Sequence, residues 1–267
     1  PVINPYNKKT VGEVYQATPA DIESAIRAAL GAFGATRALQ SYQRAEILVH
    51  IAREIDHNKE GFARLVATET GKPISLARSE VDRSAFTFAV AAEESKRIGG
   101  SVLPLDLAAH SERRFAIIRR FPLGPICAIT PFNFPLNLVA HKVAPAIASG
   151  NPVVLKPSSS APMTALLLAK IVHESSMPHG ALNVVPCCSS EAEQLITDER
   201  IKLVSFTGSP AVGWGIKARA GKKKVVLELG GNAGVIVDKG TDLGFAVQRI
   251  ALGSYGNAGQ SCIAVQR

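Results

Sequence analysis

Apolar residues in the first hundred positions recur at helical spacing. Ile22, Ala25, Ile26, Ala29, Leu30 and Phe33 fall on one face of a 3.6-residue period. Thr18 precedes them as a cap, Pro19 suits the first helical position, and Asp21 favours the positive helix end. A second run carries Ile47, Leu48, Ile51, Ala52 and Ile55, a third Phe62, Leu65 and Val66, and a fourth covers residues 75–97. Gly99 and Gly100 break that pattern, and residues 114–120 alternate as a strand does.

From Gly124 the pattern changes. Short apolar runs at 125–130, 152–155, 182–185, 203–206, 225–229 and 235–237 alternate with helical runs at 136–148, 161–173, 192–196 and 243–255. Strands that lose their polar face are covered on both sides, so the alternation predicts an α/β fold with a doubly wound, mostly parallel sheet. Ligands of such sheets sit beyond the strand C-termini. No short-period repeat suggests a solenoid.

With 267 residues, 46% of them hydrophobic and 19% charged, the chain can bury a sizeable core and is neither disordered nor a small disulfide scaffold. Its +8 charge is spread over both halves, and the one concentration is Lys217, Arg219, Lys222, Lys223 and Lys224. Few aromatics stand nearby to stack bases, so this reads as a solvated rim and nucleic acid is not an expected partner. The least charged stretch, 121–140, is interrupted by Pro122, Pro125, Pro131, Pro135, Asn133 and Asn137. It reads as strand, turn and helix start in a non-membrane protein. Cys127, Cys187, Cys188 and Cys262 form no C-x-x-C pair, and the six histidines lack metal spacing, so neither a disulfide framework nor a metal site is expected. No basic leader opens the sequence, and a cytoplasmic location is expected.

The chemistry concentrates at strand ends. Thr130-Pro131-Phe132-Asn133-Phe134-Pro135 follows one strand, Lys156-Pro157-Ser158-Ser159-Ser160 the next, Phe206-Thr207-Gly208-Ser209-Pro210 another and Glu228-Leu229-Gly230-Gly231-Asn232 another. The glycine-rich turn from Gly208 to Gly213 offers backbone N–H groups to phosphate, although it matches neither G-x-G-x-x-G nor a P-loop. Gly256-Asn257-Ala258-Gly259-Gln260-Ser261-Cys262 is followed by Ile263, Ala264 and Val265, read here as a helix start whose positive end would stabilise a Cys262 thiolate. The blander reading of Cys262 is a small buried hydrophobe, which is the reading adopted for Cys127; Cys187 and Cys188 are read as lining a loop. Glu228, on the residues alone, reads as a surface or ion-paired carboxylate.

Taken in order, Pro131-Phe132-Asn133-Phe134-Pro135, Lys156-Pro157-Ser158, Phe206-Thr207-Gly208-Ser209, Glu228-Leu229-Gly230-Gly231 and Gly259-Gln260-Ser261-Cys262 resemble the aldehyde dehydrogenase superfamily, and the similarity runs from Ile3-Asn4-Pro5 to Arg267. The resemblance implies a Rossmann-like dinucleotide domain at 124–235, with N-terminal strand and helices at 1–110. It also implies part of an oligomerisation hairpin at 111–123 and the start of a catalytic domain at 236–267. It implies Cys262 as nucleophile, Glu228 as general base, the Asn133 amide with the Cys262 N–H as oxyanion donors, and Lys142 near the reacting centre.

NAD or NADP is the implied cofactor, with contacts from Thr130, Pro131, Phe132, Lys156, Ser158, Ser159, Phe206, Thr207, Gly208, Ser209, Val212, Leu229 and Gly230. Val212 and Trp214 are expected to pack around the adenine. Read from the residues alone, Lys142 is a solvated charge on an apolar helix. Ser159 stands where NAD-preferring members often carry a glutamate, which implies that NADP is tolerated or preferred. The implied reaction is oxidation of a small polar aldehyde, of the lactaldehyde, glyceraldehyde phosphate or succinate semialdehyde kind, in a homodimer or homotetramer when complete. Acyl transfer to coenzyme A and a non-catalytic dinucleotide module are the alternatives. Family members continue beyond the cysteine, so the 267 residues are expected to be a fragment that binds dinucleotide better than it turns over aldehyde.

Overall fold

A computed structural model describes residues 1–267. Two short strands, β1 (Val2–Ile3) and β2 (Thr10–Gly12), pair antiparallel and lead into α1 (Pro19–Ala38). The first turn of α1 is closed by a capping box: Asp21 Oδ2 accepts from the Thr18 N–H at 2.8 Å, and Thr18 Oγ1 accepts from the Asp21 N–H at 3.3 Å. Helices α2 (Ser41–His57), α3 (Lys59–Thr70) and α4 (Ile74–Ser95) follow. Gly71 ends α3 at φ +72°, in the left-handed region, with Pro5 packed against the place a Cβ would occupy.

An antiparallel hairpin, β3 (Ser101–Pro104) and β4 (Phe115–Ile118), then leaves the body of the protein with Val102, Phe115 and Ile117 exposed. Its second strand lies within the stretch that alternates in the sequence; its first, Ser-Val-Leu-Pro, has no alternation to reveal it.

The remaining chain winds β5 (Ile126–Ile129), α5 (Asn137–Ala148), β6 (Val153–Lys156), α6 (Met163–Glu174), β7 (Leu182–Val184), α7 (Glu193–Thr197), β8 (Leu203–Thr207), α8 (Pro210–Arg219), β9 (Lys224–Glu228) and α9 (Leu243–Tyr255). The five strands form one wholly parallel sheet in the order β7-β6-β5-β8-β9. Alternate residues feed two cores, as the two-residue period of a strand requires. Ile126, Ala128, Val153 and Leu155 point into a core shared with α2 to α6, while Cys127, Ile129, Val154, Val204 and Phe206 meet α1, α7 and α8. Both faces of the central strands are therefore covered, which is why their sequences carry no polar alternation.

One expected strand does not form. Val235, Ile236 and Val237 lie outside regular structure with Ile236 95% exposed; the apolar run has no strand beside it to pair with, and the only ladder contact nearby is the Ala233–Val265 bridge. No helix is long and apolar enough to cross a membrane.

Candidate active site

The strand order reverses between β5 and β8, and a doubly wound sheet opens its crevice at that point, beyond the carboxyl ends of the strands. Thr130, Lys156, Thr207 and Glu228 all stand at those ends. A cavity of about 440 Å³ lies there, lined by Lys156, Phe206, Val212, Gly215, Ile216 and neighbouring residues of α7 and α8. Two glycines allow close packing beside it: a Cβ on Gly208 would meet the Phe206 ring, and one on Gly213 would run into Leu229. Ser209 is the N-cap of α8 but makes no side-chain capping bond, so the first backbone N–H groups of that helix lack an internal acceptor.

Lys156 is buried, and its ammonium donates only to the Pro157 carbonyl, at 3.3 Å. The buried Thr130 hydroxyl has no partner. A dinucleotide fits these residues: a basic group, an unpaired hydroxyl and a free helix N-terminus border an apolar slot of adenine size. Ser158 folds its hydroxyl onto the Ser160 N–H, and Ser159 is exposed in the same turn. Of the two residues expected to pack around the adenine, Val212 lines the cavity, while Trp214 stands outside it, 58% exposed, with Lys217 over its ring.

On the other side of the crevice, the 3₁₀ turn Gly256–Gly259 carries the chain from α9 to Cys262. Asn257 and Ala258 both adopt left-handed backbone, at φ 54° and 57°, which costs an alanine more than an asparagine. The helix expected after Cys262 does not form. Residues 262 and 263 make a turn, and Val265 is drawn instead to the Gly253 carbonyl and to its bridge with Ala233. β-Branched Ile263 and Val265 are poor helix initiators beside such a bridge.

A stabilising helix end is therefore absent, and the thiol is affected in the opposite sense. Burial pushes the Cys262 pKa up, and Glu228 adds to this both by accepting the S–H hydrogen bond and by its negative charge. The backbone N–H groups of Cys262 and Ile263 partly oppose the rise. Gly231, three residues after Glu228, passes so close that a Cβ there would strike the Cys262 carbonyl oxygen. The Asn133 side chain donates to the Gln260 carbonyl at 2.8 Å, and Asn257 donates to the Asn133 carbonyl at 3.2 Å. Cys262, Glu228 and Asn133 thus meet at one end of the sheet.

Lys142 departs from a solvated-charge reading. It is buried on α5, donates to the Ser205 hydroxyl at 3.0 Å, and burial pulls its pKa down to about 8, with Cys127 and Glu228 opposing. Cys127 and Cys187 are buried, and desolvation pushes their thiols up to about 12 and about 11, so neither is a nucleophile at neutral pH. Of the basic cluster, Lys222 to Lys224 lie at the opposite end of the sheet, where Lys223 donates to the Thr197 carbonyl, while Arg219, held by Glu193, borders the cavity.

Two residues without a sequence signal belong to the site. Lys72 and Glu80 form a buried ion pair at 2.6 Å, with side chains 2% and 1% exposed. Lys72 also donates to the Asn133 carbonyl at 2.7 Å and lies 4.4 Å from the centre of the Phe134 ring. Burial pulls the Lys72 pKa down, and Glu80 counters it.

A Rossmann-like sheet with a cysteine, a carboxylate and an amide gathered at its carboxyl edge has the layout of a nicotinamide-linked oxidoreductase. The sequence pattern of the aldehyde dehydrogenase family matches residues 1–267, and the chain belongs to that family. It is 43% identical over 267 residues to 3-sulfolactaldehyde dehydrogenase of Priestia aryabhattai, covering 100% of this chain and 56% of that protein. The chain thus spans little more than half the length of such curated relatives. Among solved structures, aldehyde dehydrogenase 21 of Physcomitrella patens, in complex with the reaction product succinate, superposes with a TM-score of 0.96 at 47% identity, covering 100% of this chain and 56% of that one. Glyceraldehyde-3-phosphate dehydrogenase of Methanocaldococcus jannaschii, complexed with NADP, does so with a TM-score of 0.93 at 40% identity over 99% and 58%.

Proposed function

We propose that this chain supplies the dinucleotide site, the nucleophile and the general base of an NAD- or NADP-dependent aldehyde dehydrogenase that oxidises a small polar aldehyde to its carboxylate. The observation that carries the reading is the convergence of three groups: Glu228 close enough to Cys262 to raise its thiol's pKa, and Asn133 bonded at 2.8 Å to Gln260 of the loop that carries Cys262. The names of the relatives, which act on lactaldehyde-like and glyceraldehyde-phosphate substrates, support the substrate class.

In this reading Glu228 takes the thiol proton, and Sγ attacks the aldehyde carbon. The new C–S bond sends the carbonyl electron pair to oxygen, where the second N–H of the Asn133 amide and the Cys262 N–H receive it. A nicotinamide dinucleotide, when bound, would supply the hydride acceptor that the resulting thiohemiacetal needs. Once Glu228 has released that first proton to solvent, it takes a proton from the water that attacks the thioester left on Cys262; the C–S bond breaks, its electron pair returns to Sγ, and the acid is released as carboxylate with loss of its proton to solvent. Lys156, the Thr130 hydroxyl and the α8 N-terminus hold the dinucleotide, and the neutral Ser159 spares a 2′-phosphate the repulsion a carboxylate would exert. The exposed apolar hairpin β3–β4 is the surface through which the complete protein would form a dimer or tetramer.

The test is product analysis with lactaldehyde as probe, NADP or NAD, and coenzyme A in a parallel reaction. Carboxylate and reduced dinucleotide in equal amounts are expected in both. An acyl-CoA product would transfer the thioester step to coenzyme A, and no reduced dinucleotide in any reaction would overturn the reading.

A further inference from the structure

We propose that Lys72, paired with Glu80, is a positioning residue that fixes the Asn133 backbone and thereby aims the Asn133 amide at the substrate oxygen; this rests on the aldehyde-oxidation reading above. Residues 131–135 have no regular structure, and none of their backbone N–H groups has a backbone acceptor. The ion pair takes that place. Lys72 donates to the Asn133 carbonyl, and Glu80 Oε1 accepts from the Leu136 and Asn137 N–H groups at 2.9 and 3.2 Å. The ammonium also lies against the Phe134 ring.

The hydrogen bonds and ring contact that the two side chains make outside the pair therefore all go to residues 133–137, 56 to 62 positions away along the chain. A pair that merely strengthened α4 would bond within its own helix or to its exposed neighbours. Burying two ions is costly unless their remaining hydrogen-bonding capacity is used, and here it is used on a single loop. Asn257 adds a second donor to the same Asn133 carbonyl, so the oxygen is gripped from both sides of the crevice.

The experiment compares wild type, Lys72→Met and the charge-free double variant Lys72→Met/Glu80→Gln, each alone and combined with Asn133→Ala, in the complete protein that contains this chain. Lys72→Met leaves a buried carboxylate unpaired and is the variant most prone to misfold; the double variant avoids that. Three readouts are taken: amide hydrogen exchange at residues 133–137, the NADP dissociation constant, and kcat with lactaldehyde.

The double variant is expected to speed exchange at 133–137 alone, to leave the NADP dissociation constant within about twofold, and to lower kcat about 100-fold, the scale of a misplaced reacting group. In the Asn133→Ala background it should lower kcat no further, because the group being aimed is gone. Unchanged exchange at 133–137, unchanged kcat, or an equal loss in the Asn133→Ala background would overturn the proposal. So would a general rise in exchange with weakened NADP binding, which is the mark of a structural role. A wild-type chain that produces no reduced dinucleotide counts against the aldehyde-oxidation reading instead, and the exchange rates then decide by themselves whether the pair holds the loop.

Discussion

Asn133 donates one of its two amide N–H groups to the backbone oxygen of Gln260, 2.8 Å away and two residues before Cys262. The bond joins the β5–α5 loop to the nucleophile loop across 127 residues of sequence and leaves the second N–H for another acceptor. Asn133→Ala should therefore lower kcat by about 10²–10³-fold, the usual effect of losing one oxyanion donor, while NADP binding stays nearly unchanged. Steady-state kinetics and a cofactor titration check this. A loss seen only in cofactor affinity would place Asn133 outside the reaction.

Glu228 raises the pKa of the Cys262 thiol. Because burial and the Glu228 carboxylate both raise the thiol's pKa, the alkylation rate of Cys262 by iodoacetamide should reach half its maximum at a pH above that of an ordinary cysteine. Glu228→Gln removes the negative charge, so this midpoint should move down and alkylation at neutral pH should accelerate. Turnover should fall in the same variant, since the hydrolytic base is lost, while the first release of reduced dinucleotide persists. Mass spectrometry of the Cys262 peptide across pH gives the midpoint; one that did not move would remove Glu228 from contact with the thiol.

Cofactor choice is expected to turn on Ser159, exposed in the turn after β6. A carboxylate introduced there as Ser159→Glu should repel a 2′-phosphate and weaken NADP binding by about tenfold or more at low salt, with NAD spared. Titrations of both dinucleotides measure it. Equal effects on the two would show that the 2′ position lies elsewhere.

Lys142 links the core to pH. Its folded pKa of about 8 lies below the ordinary 10.5, so between those values the unfolded chain binds more protons than the folded one, and stability from this group rises with pH. Below about 8 the full cost of a buried charge is present. Relief by pH 10.5 amounts to about 3 kcal/mol. Urea unfolding of wild type and Lys142→Met should show the variant relatively more stable at pH 7 and the difference shrinking toward pH 10. A difference independent of pH would mean that Lys142 titrates normally.

Much of this was readable from the chain because the physics was local. The Thr18 capping box, the α9 span at Leu243–Tyr255 and the double apolar coverage of β5 and β6 each follow from neighbours in sequence. The family resemblance, carried by strand-end motifs, brought Cys262, Glu228 and Asn133 together, and the structure sets all three at the carboxyl edge of the sheet. Where the outcome depended on distant partners, the sequence was silent or misleading. Lys72 and Glu80 form no periodic pattern with the loop they hold, Val235 to Val237 look like a strand but have none to pair with, and Val265 joins a bridge instead of a helix. Lys142 looked solvated because its partner Ser205 lies 63 residues away.

The most direct test of the account is a rapid-mixing measurement of reduced dinucleotide formed when the complete protein that contains this chain, loaded with NADP, meets lactaldehyde, for wild type and Cys262→Ser. The account predicts a burst approaching one equivalent per chain in wild type and none in the serine variant, with NADP binding intact in both. A burst that survives Cys262→Ser, or a wild-type chain that binds NADP yet forms none of the reduced product, would contradict it.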